Sequence, residues 1–136
     1  MNEGADFGGK RGISPARQMR GRRAYLGGLA AEEGVAAHYA LAGLPLVARR
    51  WRGKAGEIDL IAGDGSAVVF IEVKQAETHA AAAERLSLAQ RGRICAAAGE
   101  YLAGLPLGLE TPARFDVALV DGQGRVAVLE NAFGMT

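Results

Sequence analysis

The sequence predicts a single α/β domain with a mixed, roughly five-stranded sheet flanked by helices, and three observations lead there. Two apolar runs at 56–61 and 68–74 are separated by Gly63, Asp64, Gly65 and Ser66, the pattern of a β-hairpin. Two Ala-rich stretches carry apolar residues at helical spacing. Near the end, two short runs rich in Val and Leu flank the turn residues 121–124.

Taken in order, residues 1–23 are rich in Gly, Arg and polar side chains and lack periodicity, so they read as a mobile basic arm ahead of a domain at 24–136. The arm is suited to loose phosphate attraction or is simply solvated. Residues 29–42 form a helix with Val35 and Tyr39 four apart, ending at Gly43. Leu46, Val47 and Ala48 open a first strand, followed by the cationic cluster Arg49, Arg50, Trp51, Arg52 and Lys54. The hairpin comes next. A second helix spans 87–103 before Gly104, with Leu88, Arg91, Ile94, Cys95, Ala98 and Leu102 approximating one stripe. Strands at 115–120 and 126–129 close the chain.

The hairpin holds Glu57, Asp59, Glu72 and Lys74 in otherwise apolar runs, where charge is costly unless offset. With Gly63 opposite Ser66, Glu57 faces Glu72, Asp59 faces Phe70, and Asp59 lies diagonal to Glu72. Alternation puts all four charged residues on one face. Facing carboxylates repel, and a divalent cation between the strands reverses the sign. Ile58, Leu60, Val69, Ile71 and Val73 cover the other face, which makes the hairpin central in a sheet covered on both sides.

At 136 residues and 49% hydrophobic content the chain suits one domain with a substantial core. Net charge is only +1, but residues 1–54 hold 10 Lys+Arg against 4 Asp+Glu, and residues 55–136 hold 6 against 11. A basic half beside an acidic half suits a phosphate substrate held over a cation. The lone Cys95 cannot form an internal disulfide and reads as a helical thiol in a reducing cytoplasm. The apolar stretch after Arg22 and Arg23 is broken by Glu32 and Glu33, too soon for a membrane span. His38, in a helix, and His79, in a loop, lack partners at zinc-ligand spacing. Asp116, on an apolar strand, reads as a hydrogen-bonded edge residue or an acid behind the site. No phosphate-cradling P-loop is present in the sequence, and no small-molecule cofactor is expected.

Asp59, twelve intervening residues, then Glu72-Val73-Lys74 resembles the PD-(D/E)xK signature of restriction-endonuclease-like nucleases. The longer set of Gly-Glu-Ile-Asp-Leu-Ile at 56–61, Val-Phe-Ile-Glu-Val-Lys at 69–74, Arg-Phe-Asp-Val at 114–117 and Asn131-Ala132-Phe133 resembles the YraN-like family of small, predicted bacterial endonucleases. The resemblance implies a restriction-endonuclease-like fold. It also implies Asp59, Glu72 and Glu33 at a Mg²⁺ or Mn²⁺ site and Lys74 as the catalytic lysine; Glu57, from its place on the same strand face, reads as an additional acid. Two departures stand out: Ala76 where the family usually has arginine, and Gln90 where it has a helix lysine.

The expected activity is Mg²⁺-dependent hydrolysis of DNA phosphodiester bonds, with Arg49, Arg50, Arg52, Lys54 and Gln90 as DNA contacts. A non-catalytic nucleic-acid-binding or scaffold protein retaining the fold is the alternative. A purely structural ion-pair network of Glu57, Glu72 and Lys74 is a third reading.

Overall fold

The computed structural model describes residues 15–134, with side chains from residue 27 onward. Its elements are α1 (Pro15–Leu41), β1 (Leu46–Arg52), β2 (Glu57–Gly63), β3 (Val68–Gln75), α2 (His79–Ala83), α3 (Leu88–Ala103), a 3-10 turn at Gly108–Glu110, β4 (Ala113–Val120) and β5 (Val126–Phe133). The strands make one five-stranded sheet in the order β1-β2-β3-β4-β5. It is mixed: β3 and β4 run parallel, and the other neighbours are antiparallel. A parallel step needs a crossover, and α2 and α3 lie within it. The chain divides into two compact units, the first ending at Ala30 and the second running from Ala31 to Thr136, so the boundary falls inside α1. Residues 1–14 of the expected arm lie outside the described residues, while residues 15–23 belong to α1, which therefore starts well before the expected residue 29.

The hairpin strands are interior and apolar on both faces, so each face needs its own cover. On one side Ala31, Val35 and Tyr39 of α1, at four-residue spacing, pack with Leu60, Ala62, Val69, Ile71, Ala118 and Val120. On the other, Ile94, Ala97, Ala98 and Leu102 of α3 pack with Ile58, Ile61, Phe70 and Phe115. Ile58 thus joins the α3 side, not the α1 side that strict alternation expects. Its partner across the ladder, Trp51, lies inward against the same cluster, after Arg50 takes a left-handed φ of 50°. Each such buried Leu, Ile or Phe contributes about 1.5–3 kcal/mol.

Local chemistry marks the ends of α3. The Ser87 side chain accepts from the Gln90 N–H, the Gln90 side chain accepts from the Ser87 N–H, and Gly104 caps the C-terminus. The short α2 was not expected, and His79, read as a loop residue, is its first residue. Thr78 caps it, accepting from the Ala81 N–H at 3.1 Å. Five residues, four of them Ala, are too few and too uniform to display a helical stripe.

Asp116 is fully buried on β4, a strand paired on both sides, so it is not an edge residue. Its carboxylate accepts from Tyr39 Oη at 2.7 Å, Arg114 Nε at 3.0 Å and the Asn131 N–H at 2.9 Å. The β4–β5 register shifts between Phe115 and Val117, and Asn131 adopts a left-handed φ of 51°. This irregularity directs a backbone donor at the buried acid. Burial and the Asp116 carboxylate together raise the Tyr39 hydroxyl far above its ordinary range, so it donates at any working pH.

Tyr39→Phe should therefore cost about 1–2 kcal/mol in urea unfolding, because Asp116 keeps its other donors. Asp116→Ala should cost about 3–5 kcal/mol, because it strands several buried donors together. Equal losses for the two variants would show that the network does not centre on Asp116.

Candidate metal and phosphate site

The β2–β3 ladder is short, running from Gly63↔Val68 to Leu60↔Ile71. The register corrects the expected one by two residues. Asp64 through Ala67 form a four-residue loop, in which Asp64 Oδ1 accepts from the Ser66 N–H at 2.9 Å and the Ala67 N–H at 3.0 Å. That side-chain turn draws Ala67 into the loop and makes Val68, not Ser66, the partner of Gly63. Continued beyond Leu60 and Ile71, the register brings Asp59 opposite Glu72, directly rather than diagonally. The loop length stays even, so the parity of the faces is kept.

Past Leu60 and Ile71 the two strands part. The start of β2 continues to pair with β1 through Trp51↔Ile58 and Arg52↔Glu57, while the end of β3 follows β4 through Glu72↔Val117 and Lys74↔Leu119. The Val73 N–H donates instead to Asp59 Oδ2 at 2.9 Å. The carboxyl of Glu72 lies within hydrogen-bond reach of Asp59, and Lys74 Nζ stands 3.3 Å from Glu72 Oε2. The side chains of Glu72 and Lys74 are 9% and 15% exposed. Sequence-adjacent strands, a missing stretch of ladder and three charged side chains therefore coincide at one split in the sheet.

The electrostatics of the split follow from burial. Glu72 is pushed up to about 7, first by desolvation and then by the Asp59 charge, with Lys74 opposing both. Asp59 is also raised by burial, against the lowering effects of the Val73 N–H and Lys74. When both acids are ionised neither can donate to the other, and Glu72 Oε1 is buried with no hydrogen-bond partner. Repulsion and an unsatisfied oxygen together leave the pair short of positive charge.

Glu33 does not join this group: its side chain is 69% exposed and pairs with Arg49 at 3.2 Å. The acid of α1 that shares the field of Asp59 is Glu32, 14% exposed, raised by burial and held by Arg50 at 3.3 Å. A signal for it lay in the sequence, because Glu32 is three and seven residues from Val35 and Tyr39, on the sheet-facing stripe. Glu57 is exposed and pairs with Arg52 at 3.5 Å. Arg49, Arg50 and Arg52, expected as a cationic surface, thus each meet a carboxylate. Gln90 is engaged in the cap of α3, and Ala76 packs beside Ala82, Val117 and Leu119. Cys95 donates to the Gly134 carbonyl at 3.1 Å and burial raises its thiol. Another residue the sequence did not flag is Glu100, whose carboxylate accepts from the Lys54 N–H at 2.7 Å and the Ala55 N–H at 3.2 Å, tying the β1–β2 turn to α3.

Among the described residues, no three Asp, Glu, His or Cys side chains stand close enough to hold an ion between them. The donor set is therefore a carboxylate pair, Asp59 and Glu72, with Glu32 outside it. Hard oxygen donors and an unpartnered buried carboxylate oxygen fit a divalent cation of the Mg²⁺ class, which keeps several waters and needs only one or two protein carboxylates.

A pH dependence follows. Because folded Glu72 titrates near 7 against an ordinary value of 4.5, the folded protein binds more protons than the unfolded chain across that interval. Stability in chelator should accordingly be highest below about pH 4.5 as far as this group is concerned, and fall as pH rises through 7. Thermal melts at pH 5 and 8 should show Glu72→Gln flattening that decline and melting roughly 4 °C or more above wild type at pH 8. Parallel pH curves for the two proteins would remove Glu72 as the cause.

Residues 31–120 match the pattern of the family described as Uncharacterised protein family UPF0102. A UPF0102 protein of Cereibacter sphaeroides is 60% identical over 115 residues, covering 85% of this chain and 98% of its own. One from Ruegeria pomeroyi is 57% identical over 119 residues, covering 88% and 97%. One from Dinoroseobacter shibae is 48% identical over 126 residues, covering 89% and 92%. The matched region contains Glu32, Asp59, Glu72 and Lys74, and the chain belongs to the UPF0102 family.

Proposed function

We propose that this protein is a metal-dependent DNA endonuclease of the YraN-like, PD-(D/E)xK kind, with a restriction-endonuclease-like fold. The observation that carries the reading is the meeting of Asp59, Glu72 and Lys74 where β2 and β3 part, with a buried Glu72 oxygen lacking any donor. Asp59 and Glu72 would hold the cation, and Glu32, which feels the Asp59 charge, would act through a bound water. When bound, Mg²⁺ or Mn²⁺ polarises the scissile phosphate and lowers the pKa of its water. Asp59 is fixed by the Val73 N–H, which donates to Oδ2, and its other oxygen would serve as the ligand. Lys74, next to Glu72, is positioned to orient the attacking water and to stabilise charge developing on the phosphate. One feature favours the alternative of a non-catalytic DNA-binding scaffold: Gln90, in the place of a helix lysine, is held in a capping box.

A thermal melt tests the cation site. Mg²⁺ or Mn²⁺ should raise the melting temperature of wild type, since binding to the folded state alone stabilises it, and Asp59→Asn should abolish the rise. Equal shifts in both proteins would sink the carboxylate-pair assignment.

Nuclease assays on linear and branched DNAs, with Mg²⁺, Mn²⁺ or chelator, test the chemistry. Lys74→Ala should retain cation and DNA binding while cleavage falls by about 100-fold or more. Glu72→Ala should lose both cation binding and cleavage. Wild type that binds DNA yet cuts none with either cation would leave the scaffold reading in its place.

A further inference from the structure

Cations on this surface differ sharply in what they face. Among the described side chains, Arg49, Arg50, Arg52, Lys74, Arg114 and Arg125 each lie within 4.0 Å of a carboxylate. The guanidinium of Arg91 lies over the Phe133 ring at 5.7 Å. Lys54, Arg85 and Arg93, all exposed, have neither kind of partner among the described residues.

Of these, Lys54 and Arg93 flank one turn, the one that leads into β2. The Arg93 stem packs against Gly56, its Cβ 3.4 Å from where a side chain at Gly56 would begin. Lys54 is two residues away in the same turn, and Asp59 is three residues further along β2. Arg93 and Glu100 are seven residues apart on α3, so they share one face about 10 Å apart along the axis. Glu100, the acid beside the turn, has both oxygens engaged by the Lys54 and Ala55 N–H groups, which fixes the turn backbone and leaves the Lys54 ammonium without that partner. A Cβ at Gly53 would displace the Glu100 carboxylate from the turn.

We infer that Lys54 and Arg93 form the backbone-phosphate anchor for DNA at this site, in place of the Arg49-Arg50 pair, which is neutralised by Glu33 and Glu32. The inference rests on the nuclease reading for the nature of the polymer. An unpaired cation can release condensed counterions from a phosphate without first losing a protein partner, whereas Arg49 and Arg50 must break an ion pair to do so. The anchor stands on a turn clamped to α3 at two points, so it holds the polymer in fixed register with Asp59 near the start of β2.

The test is fluorescence anisotropy of a labelled DNA duplex with the full chain in chelator, read as affinity and as its salt dependence. Gln retains the Arg93 stem that covers Gly56, so Lys54→Gln/Arg93→Gln should fold as wild type. It should bind about tenfold or more weakly and lose roughly two units of salt slope. Arg49→Gln/Arg50→Gln should keep the wild-type slope. A wild-type slope in the Lys54/Arg93 variant, or its loss in the Arg49/Arg50 variant, overturns the anchor. If wild type also cuts DNA with Mg²⁺ in that case, the nuclease reading survives without it. If the slope is lost as expected but wild type cuts nothing, the anchor stands and the nuclease reading falls. Wild type with no salt-dependent DNA affinity overturns both.

Discussion

The molecule turns on the parting of two adjacent strands. β2 and β3 share four paired positions and then follow different neighbours, and the carboxylate of Asp59 takes the Val73 N–H where the ladder stops. A continuous ladder would leave Asp59 and Glu72 as a repelling cross-strand pair on a packed sheet, an arrangement a folded protein avoids. The split instead gives Asp59 a backbone donor and leaves the acceptor pair where the strands part. Burial strengthens every interaction there, and it also makes an unpaired oxygen expensive.

The rest of the domain holds the split in shape from both sides. On the α1 face, Tyr39, Asp116, Arg114 and the Asn131 N–H form a buried network tying α1, β4 and β5 together. β4 is the strand that carries the end of β3 away from β2, so fixing β4 fixes Glu72 and Lys74. On the α3 face, Glu100 and Arg93 secure the β1–β2 turn that leads into Asp59. The two sides of the split are thus anchored to different helices.

Charge is partitioned in the same way. Glu32 and Glu33 hold Arg50 and Arg49 along α1, and Glu57 holds Arg52 at the strand edge. These exposed pairs contribute little stability individually. Their consequence is electrostatic: they neutralise Arg49, Arg50 and Arg52, while Lys54 in the turn before Gly56 and Arg93 packed against Gly56 keep no carboxylate partner among the described residues. Negative charge concentrates at Asp59 and Glu72, where the surroundings raise both acids.

Much of this was legible in the order of residues. The hairpin, the five strands, the helix bounded by Ser87 and Gly104 and the grouping of Asp59, Glu72 and Lys74 all follow from local periodicity, turn residues and even-loop parity, which act over a few residues. The register was not legible, because it depended on whether the Asp64 side chain would capture the Ser66 and Ala67 N–H groups. Tertiary packing alone decided that the arginines after β1 meet carboxylates. It also decided that Asp116 is a buried hub and that Gln90 serves the helix cap. Each of these depends on which distant element arrives beside the residue, and a sequence pattern with a period of two or 3.6 carries no record of that.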